Sequence, residues 1–177
     1  MKDIKLYNMI LPPFMLLTFV PIIWIFSMIG NFIIDSAVIL ALLSLLKKDR
    51  SVNYKKVIFR VWIFGYAADV IGAIYLSTVS SMPFINAYFS PANLGEEISN
   101  GINSALNFSH FDSIWGVLFI LSGILIAAVF IFIFDYKFVF KKHLAHVLTK
   151  RQMIIASLAM SIFTAPYTFL LPKELFY

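Results

Sequence analysis

Two aspartates in strongly apolar surroundings, Asp35 and Asp69, are the residues of this 177-residue chain best placed to do chemistry. Asp35 stands 12 residues before Lys47, and Asp69 stands 13 residues after Lys56, on either side of one short basic loop. At about 1.5 Å per helical residue, each carboxyl lies roughly 18 to 20 Å from that loop. That is close to the middle of a hydrocarbon layer about 30 Å thick. A charged side chain at such a depth costs about 2.5 to 3.5 kcal/mol on insertion scales, so an acid there marks a functional site by default. Two carboxylates brought together repel, and a shared proton or a bound cation relieves them. A pair that exchanges a proton for a cation is the minimum equipment of a coupled carrier. The competing, purely structural expectation is that each acid stays neutral and donates one hydrogen bond.

The neighbours of the two acids extend the pattern. Asn31 precedes Asp35 by one turn and shares its face. Asp69 shares a face with Gly65, Gly72 and Ala73, and a face of small residues packs against another helix, which turns the carboxyl inward and away from lipid. Further along, Ser157, Ser161, Thr164 and Thr168 follow at i, i+4, i+7 and i+11, a single helical face. That stripe predicts either the lining of a polar path or a closely packed helix interface. Arg60 lies near the basic edge on the opposite face from Asp69, which predicts snorkelling to the interface. Asp135, next to Tyr136 and Lys137, reads as an interfacial salt bridge or solvated helix end.

Other chemistry is poorly represented. Cysteine is absent, which excludes a disulfide framework, a thiolate metal site or a cysteine nucleophile. His143 and His146 are three apart but lack a third ligand, and Glu96, Glu97, His110 and Asp112 follow no metal-binding spacing, so no metal or other cofactor is expected. The chain holds no HExxH, GxSxG or Walker sequence. The residues before Asp35 and Asp69 also lack the Tyr-Asp and Gly-x-Gly-Asp signatures of intramembrane aspartyl proteases. An enzyme is therefore not the expectation.

The elements that must position these groups follow from composition. Hydrophobic residues make up 61% of the chain and charged residues 13%, against about 25% charged in ordinary globular proteins. The fold class predicted is an all-α integral membrane protein, a single membrane-embedded domain over residues 1–177. It contains a bundle of about five transmembrane helices at 7–29, 31–46, 57–79, 114–134 and 152–171. Gly30-Asn31 is the predicted turn between the first two spans. Asn93-Leu94-Gly95-Glu96 carries an N-cap signature, and apolar residues recur behind it at helical spacing, which predicts an amphipathic helix on the outer surface.

Of the fourteen Lys and Arg residues, only Lys173 falls on the other side of this five-span arrangement. The positive-inside rule then gives a plasma-membrane protein with the N-terminus cytoplasmic and the C-terminus outside. Basic residues held at membrane edges predict contact with anionic lipid headgroups and exclude nucleic acid as the partner. Abundant Phe, Ile, Lys and Asn suggests an AT-rich bacterial source.

Two functions fit. One is a small proton- or cation-coupled transporter, channel or transport-complex subunit with Asp35, Asp69 and Asn31 as the binding site. At this length it needs a homo-oligomer or a larger membrane complex to enclose a path. The other is a non-catalytic interaction protein, such as an immunity factor or an assembly subunit of a membrane complex.

Overall fold

The computed structural model describes residues 21–46, 50–80, 93–106 and 110–171. Its described elements are all helical: α1 (Pro21–Leu45), α2 (Arg50–Ser80), α3 (Asn93–Leu106), α4 (Ile114–Phe134) and α5 (Lys150–Phe163). Helix α4 continues through a π-helical turn, Asp135–Phe140, into a last turn, Lys141–His143. Short 3-10 turns occupy His110–Asp112 and Tyr167–Leu170. Among the described residues, four stretches are long and apolar enough to cross a membrane: Met28–Leu45, Val57–Ser80, Ile114–His143 and Lys150–Leu170.

The first predicted boundary needs correction. Helix α1 runs unbroken through Gly30 and Asn31, where the sequence predicts a turn. A turn in so apolar a segment would leave backbone N–H and C=O groups without partners among apolar side chains, whereas a continuous helix satisfies them internally. The rest of the predicted first span, residues 7–20, lies outside the described residues.

The last apolar stretch, Lys150–Leu170, is not one regular helix. Helix α5 stops at Phe163, with Thr164 as its C-cap. Pro166 explains the stop, because proline has no N–H to continue the ladder and biases the residue before it away from helical angles. The start of α5 is set by Thr149: its hydroxyl accepts from Gln152 N–H while the Gln152 side chain accepts from Thr149 N–H, a capping box.

Packing places the helices in antiparallel order around two apolar cores. At the basic end, Leu43, Val57, Phe140, Leu144, Leu148 and Met153 share one cluster. At the other end, Leu76, Ile102, Ala105, Ile120, Ile124 and Ala165 share a second. Helix α3 closes this second end as the amphipathic helix predicted there, with Ile102 and Ala105 buried and Glu96, Glu97, Asn100 and Asn103 exposed. It seats against α4 at Gly101, where an added Cβ would fall 2.6 Å from Trp115 Cβ.

The outward faces are apolar as well. Ile33, Leu45, Ile74, Ile114, Leu125 and Phe163 are each more than half exposed. Such a surface is compatible with contact to hydrocarbon.

Helices α2 and α4 approach closely at two glycines. A Cβ on Gly72 would lie 2.9 Å from the Gly123 carbonyl oxygen, and one on Gly123 would lie 2.5 Å from Leu76 Cγ. Since Leu76 is itself fully buried, it has nowhere to move. Gly72→Ala and Gly123→Ala are each expected to lose about 1 to 3 kcal/mol through overpacking. Nothing lies within 4 Å of a Cβ on Gly30, and Gly30→Ala should stabilise the continuous helix by up to about 1 kcal/mol. Thermal unfolding in detergent checks the order, and a destabilising Gly30→Ala would contradict the unbroken α1.

Candidate functional site

The site is built first from the contact of α1 with α2. Asn31 Nδ2 donates to Asp69 Oδ2 at 2.9 Å. One turn along, a Cβ on Gly65 would lie 3.6 Å from Asp35 Oδ2, so the Asp35 carboxyl rests on the space the glycine leaves. Below this level Ile39 and Leu43 share the core with Val61 and Val57. The antiparallel hairpin thus sets Asn31 opposite Asp69 and Asp35 opposite Gly65, and Asp35 is buried.

A third acid joins them from α4. Asp135 is fully buried, and neither of its carboxyl oxygens has a hydrogen-bond partner among the described residues. It opens the π-helical turn, and its backbone N–H is shared between the carbonyls of Ile131 and Phe132. π-turns inside α-helices occur frequently at functional sites. Asp69 and Asp135 both lie within electrostatic reach of Asp35. The fourth contribution comes from α5, where the Thr164 hydroxyl is a hydrogen-bond neighbour of Asp35 and also donates to Met160 O at 2.9 Å.

Two contacts between α2 and α4 give the levels of these groups. Gly72 meets Gly123 and Ala127, and the Phe64 ring lies 5.7 Å from Phe134 and 5.4 Å from Phe138. In that antiparallel register Asp135 falls four to seven residues, about 6 to 10 Å, nearer the basic end than Asp69. Asp35, opposite Gly65, lies one turn from Asp69 and within about one turn of Asp135. The acids therefore form a short staircase toward the basic end, from Asp69 to Asp35 and Asp135. Asp69 Oδ1 and the neighbouring Ser36 Oγ are also buried without partners. Buried polar groups are normally hydrogen-bonded, so a run of open ones along the interior calls for a proton, water or ion to complete it. Among the described residues, no three His, Asp or Glu side chains converge closely enough to hold a metal ion.

The structure separates the remaining predicted site residues. Ser157 and Ser161 are buried on the face predicted for them, but each donates to a carbonyl of its own helix, of Met153 and Leu158 respectively. Thr168 leaves that face altogether: it sits in the 3-10 turn beyond the end of α5 and is exposed. Gly72 does pack against α4, Gly65 accommodates the Asp35 carboxyl, and Ala73 is partly buried beside them. Asp135 is not a salt-bridged or solvated helix end, because the helix continues past it to His143. Its phase with Ala127 and Ile131, at steps of four, was the available signal. No family model, curated protein or solved structure matches the chain.

Opposite responses are expected from two substitutions. Asn31→Ala removes the donor to Asp69 and should cost about 1 to 3 kcal/mol. Asp135→Val replaces two unpaired oxygens, flanked on its face by Ile131 and Val139, with apolar atoms and should be neutral or stabilising. Unfolding midpoints in detergent measure both, and a large loss in Asp135→Val would show that its carboxyl has a structural partner.

Proposed function

We propose that this chain is a membrane-embedded proton-handling protein, a small proton-coupled carrier or the proton-conducting subunit of a transport complex. The observation that carries this reading is the staircase Asp69, Asp35, Asp135, with Asp35 and Asp135 buried and unpartnered carboxyl oxygens on Asp69 and Asp135. Three bare charges at these depths would cost about 8 to 10 kcal/mol on insertion scales. Such a cost is comparable with the whole net stability of an ordinary domain, about 5 to 15 kcal/mol. The cluster therefore works with fewer charges than acids, and a proton has more than one place to sit.

The order of the groups gives a path. A proton received on the open oxygen of Asp69 passes to Asp35 and then to Asp135, each transfer leaving the donor ionised and the acceptor neutral. Asn31 holds the other oxygen of Asp69 in place throughout. Small shifts between α1, α2 and α4 change which neighbours meet, which is how proton occupancy couples to a change of shape. The apolar outer surface supports placement in a membrane. The clustering of Lys and Arg at the end near Asp135 supports a cytoplasmic position for that end in a cell membrane. A second copy or a larger partner supplies the remaining walls of any substrate path.

Proton flux into liposomes reconstituted with the pure protein tests the reading. Wild type is expected to dissipate an imposed pH gradient. Asp35→Asn should abolish the flux at equal folded yield, because it removes the middle step, while Asp69→Asn and Asp135→Asn should each reduce it strongly. Tight wild-type vesicles, or flux unchanged in Asp35→Asn, would contradict it.

A further inference from the structure

A second polar feature lies at the basic end, outside the acid staircase. A cleft of about 470 Å³ opens between the basic-end halves of α2 and α4. Its rim carries Lys55, Arg60, Lys142 and His143, and among the described residues no acidic side chain lines it. Its walls are Phe59, Ile63, Phe64 and Phe138. The Phe64 and Phe138 rings stack at 5.4 Å. Lys142 follows Phe138 by about one turn, and Phe59 follows Lys55 by one turn, so each helix carries a cation and an aromatic ring near one another on one face.

We infer that this cleft binds one anionic phospholipid, with its phosphate between Lys55 and Lys142 and its acyl chain along Phe59, Ile63 and Phe138. The inference rests on the membrane placement proposed above but not on the proton path. Charge complementarity selects the headgroup, since two exposed ammonium groups line the cleft and no carboxylate does among the described residues. The apolar walls select a lipid over a soluble anion. Phe59 is 57% exposed, Ile63 44% and Phe138 45%, so the cleft opens sideways onto the surface that faces hydrocarbon. A small anion would leave these walls unfilled, while an acyl chain covers them. The volume is within the range of sites that hold a discrete ligand.

Native mass spectrometry of delipidated protein in a neutral detergent tests this. The probes are phosphatidylglycerol and phosphatidylcholine with the same chains, and glycerol phosphate as the chainless anion. Wild type should retain one phosphatidylglycerol per chain in preference to phosphatidylcholine. The preference should fall about 30-fold in Lys55→Gln/Lys142→Gln, two basic side chains being removed. Both lysines are exposed, and circular dichroism confirms equal folding. Lys150→Gln/Arg151→Gln removes two exposed charges from the same end without touching the cleft and should leave the preference unchanged. Three results would overturn the inference: no preference for the anionic lipid, an equal loss in both charge pairs, or full displacement of the lipid by glycerol phosphate.

Discussion

A carboxyl group enclosed by hydrocarbon must share a proton, meet a donor or hold an ion, and the bundle is arranged around three such groups. The Asn31 to Asp69 hydrogen bond joins α1 to α2 at this level. It fixes the register in which Asp35 meets Gly65. That register in turn aligns the apolar pairs nearer the basic end, Ile39 and Leu43 with Val61 and Val57. Gly72 and Gly123 then bring α4 so close to α2 that Asp135 is drawn into the same interior. Small residues here decide where the acids go, because no other side chains permit the approach.

The arrangement is poised by incomplete pairing. Thr164 has one hydroxyl proton and two candidate acceptors, the Met160 carbonyl and the Asp35 carboxyl. While the proton is given to Met160, the hydroxyl oxygen can only accept from Asp35; given to Asp35, it leaves the Met160 carbonyl without that bond. The two states suit a protonated and an ionised Asp35 respectively. The π-turn contributes similarly on α4, since its widened backbone places Asp135 inward while leaving Phe138 and Lys142 for the basic cleft. One local irregularity thus serves the interior and the outward surface together.

Much of this interior was legible by counting. A short loop joins α1 and α2, so residues at equal distances from it lie at equal depths, and 12 and 13 residues bring Asp35 and Asp69 to neighbouring turns with Asn31 between. The inward face of Asp69 was legible from Gly65 and Gly72 for the same reason. Asp135 was not, because its nearness to Lys137 resembles a membrane edge, and hydropathy does not reveal that a π-turn carries the helix on to His143. The break at Gly30-Asn31 was misplaced because glycine and asparagine favour turns in water, whereas a hydrocarbon interior favours the unbroken helix. Thr168 followed an ideal periodicity that Pro166 interrupts. The cleft depends on two helices meeting, and no single segment of sequence contains it.

Infrared difference spectroscopy of the purified protein across a pH jump tests the central claim most directly, because it observes carboxyl groups gaining and losing protons. The account predicts a change in the carboxylic acid C=O band of the wild type that is lost or shifted in Asp35→Asn, with the signals of Asp69 and Asp135 altered by loss of their shared neighbour. Identical difference spectra for wild type and Asp35→Asn would contradict it, leaving the three acids as static structural groups.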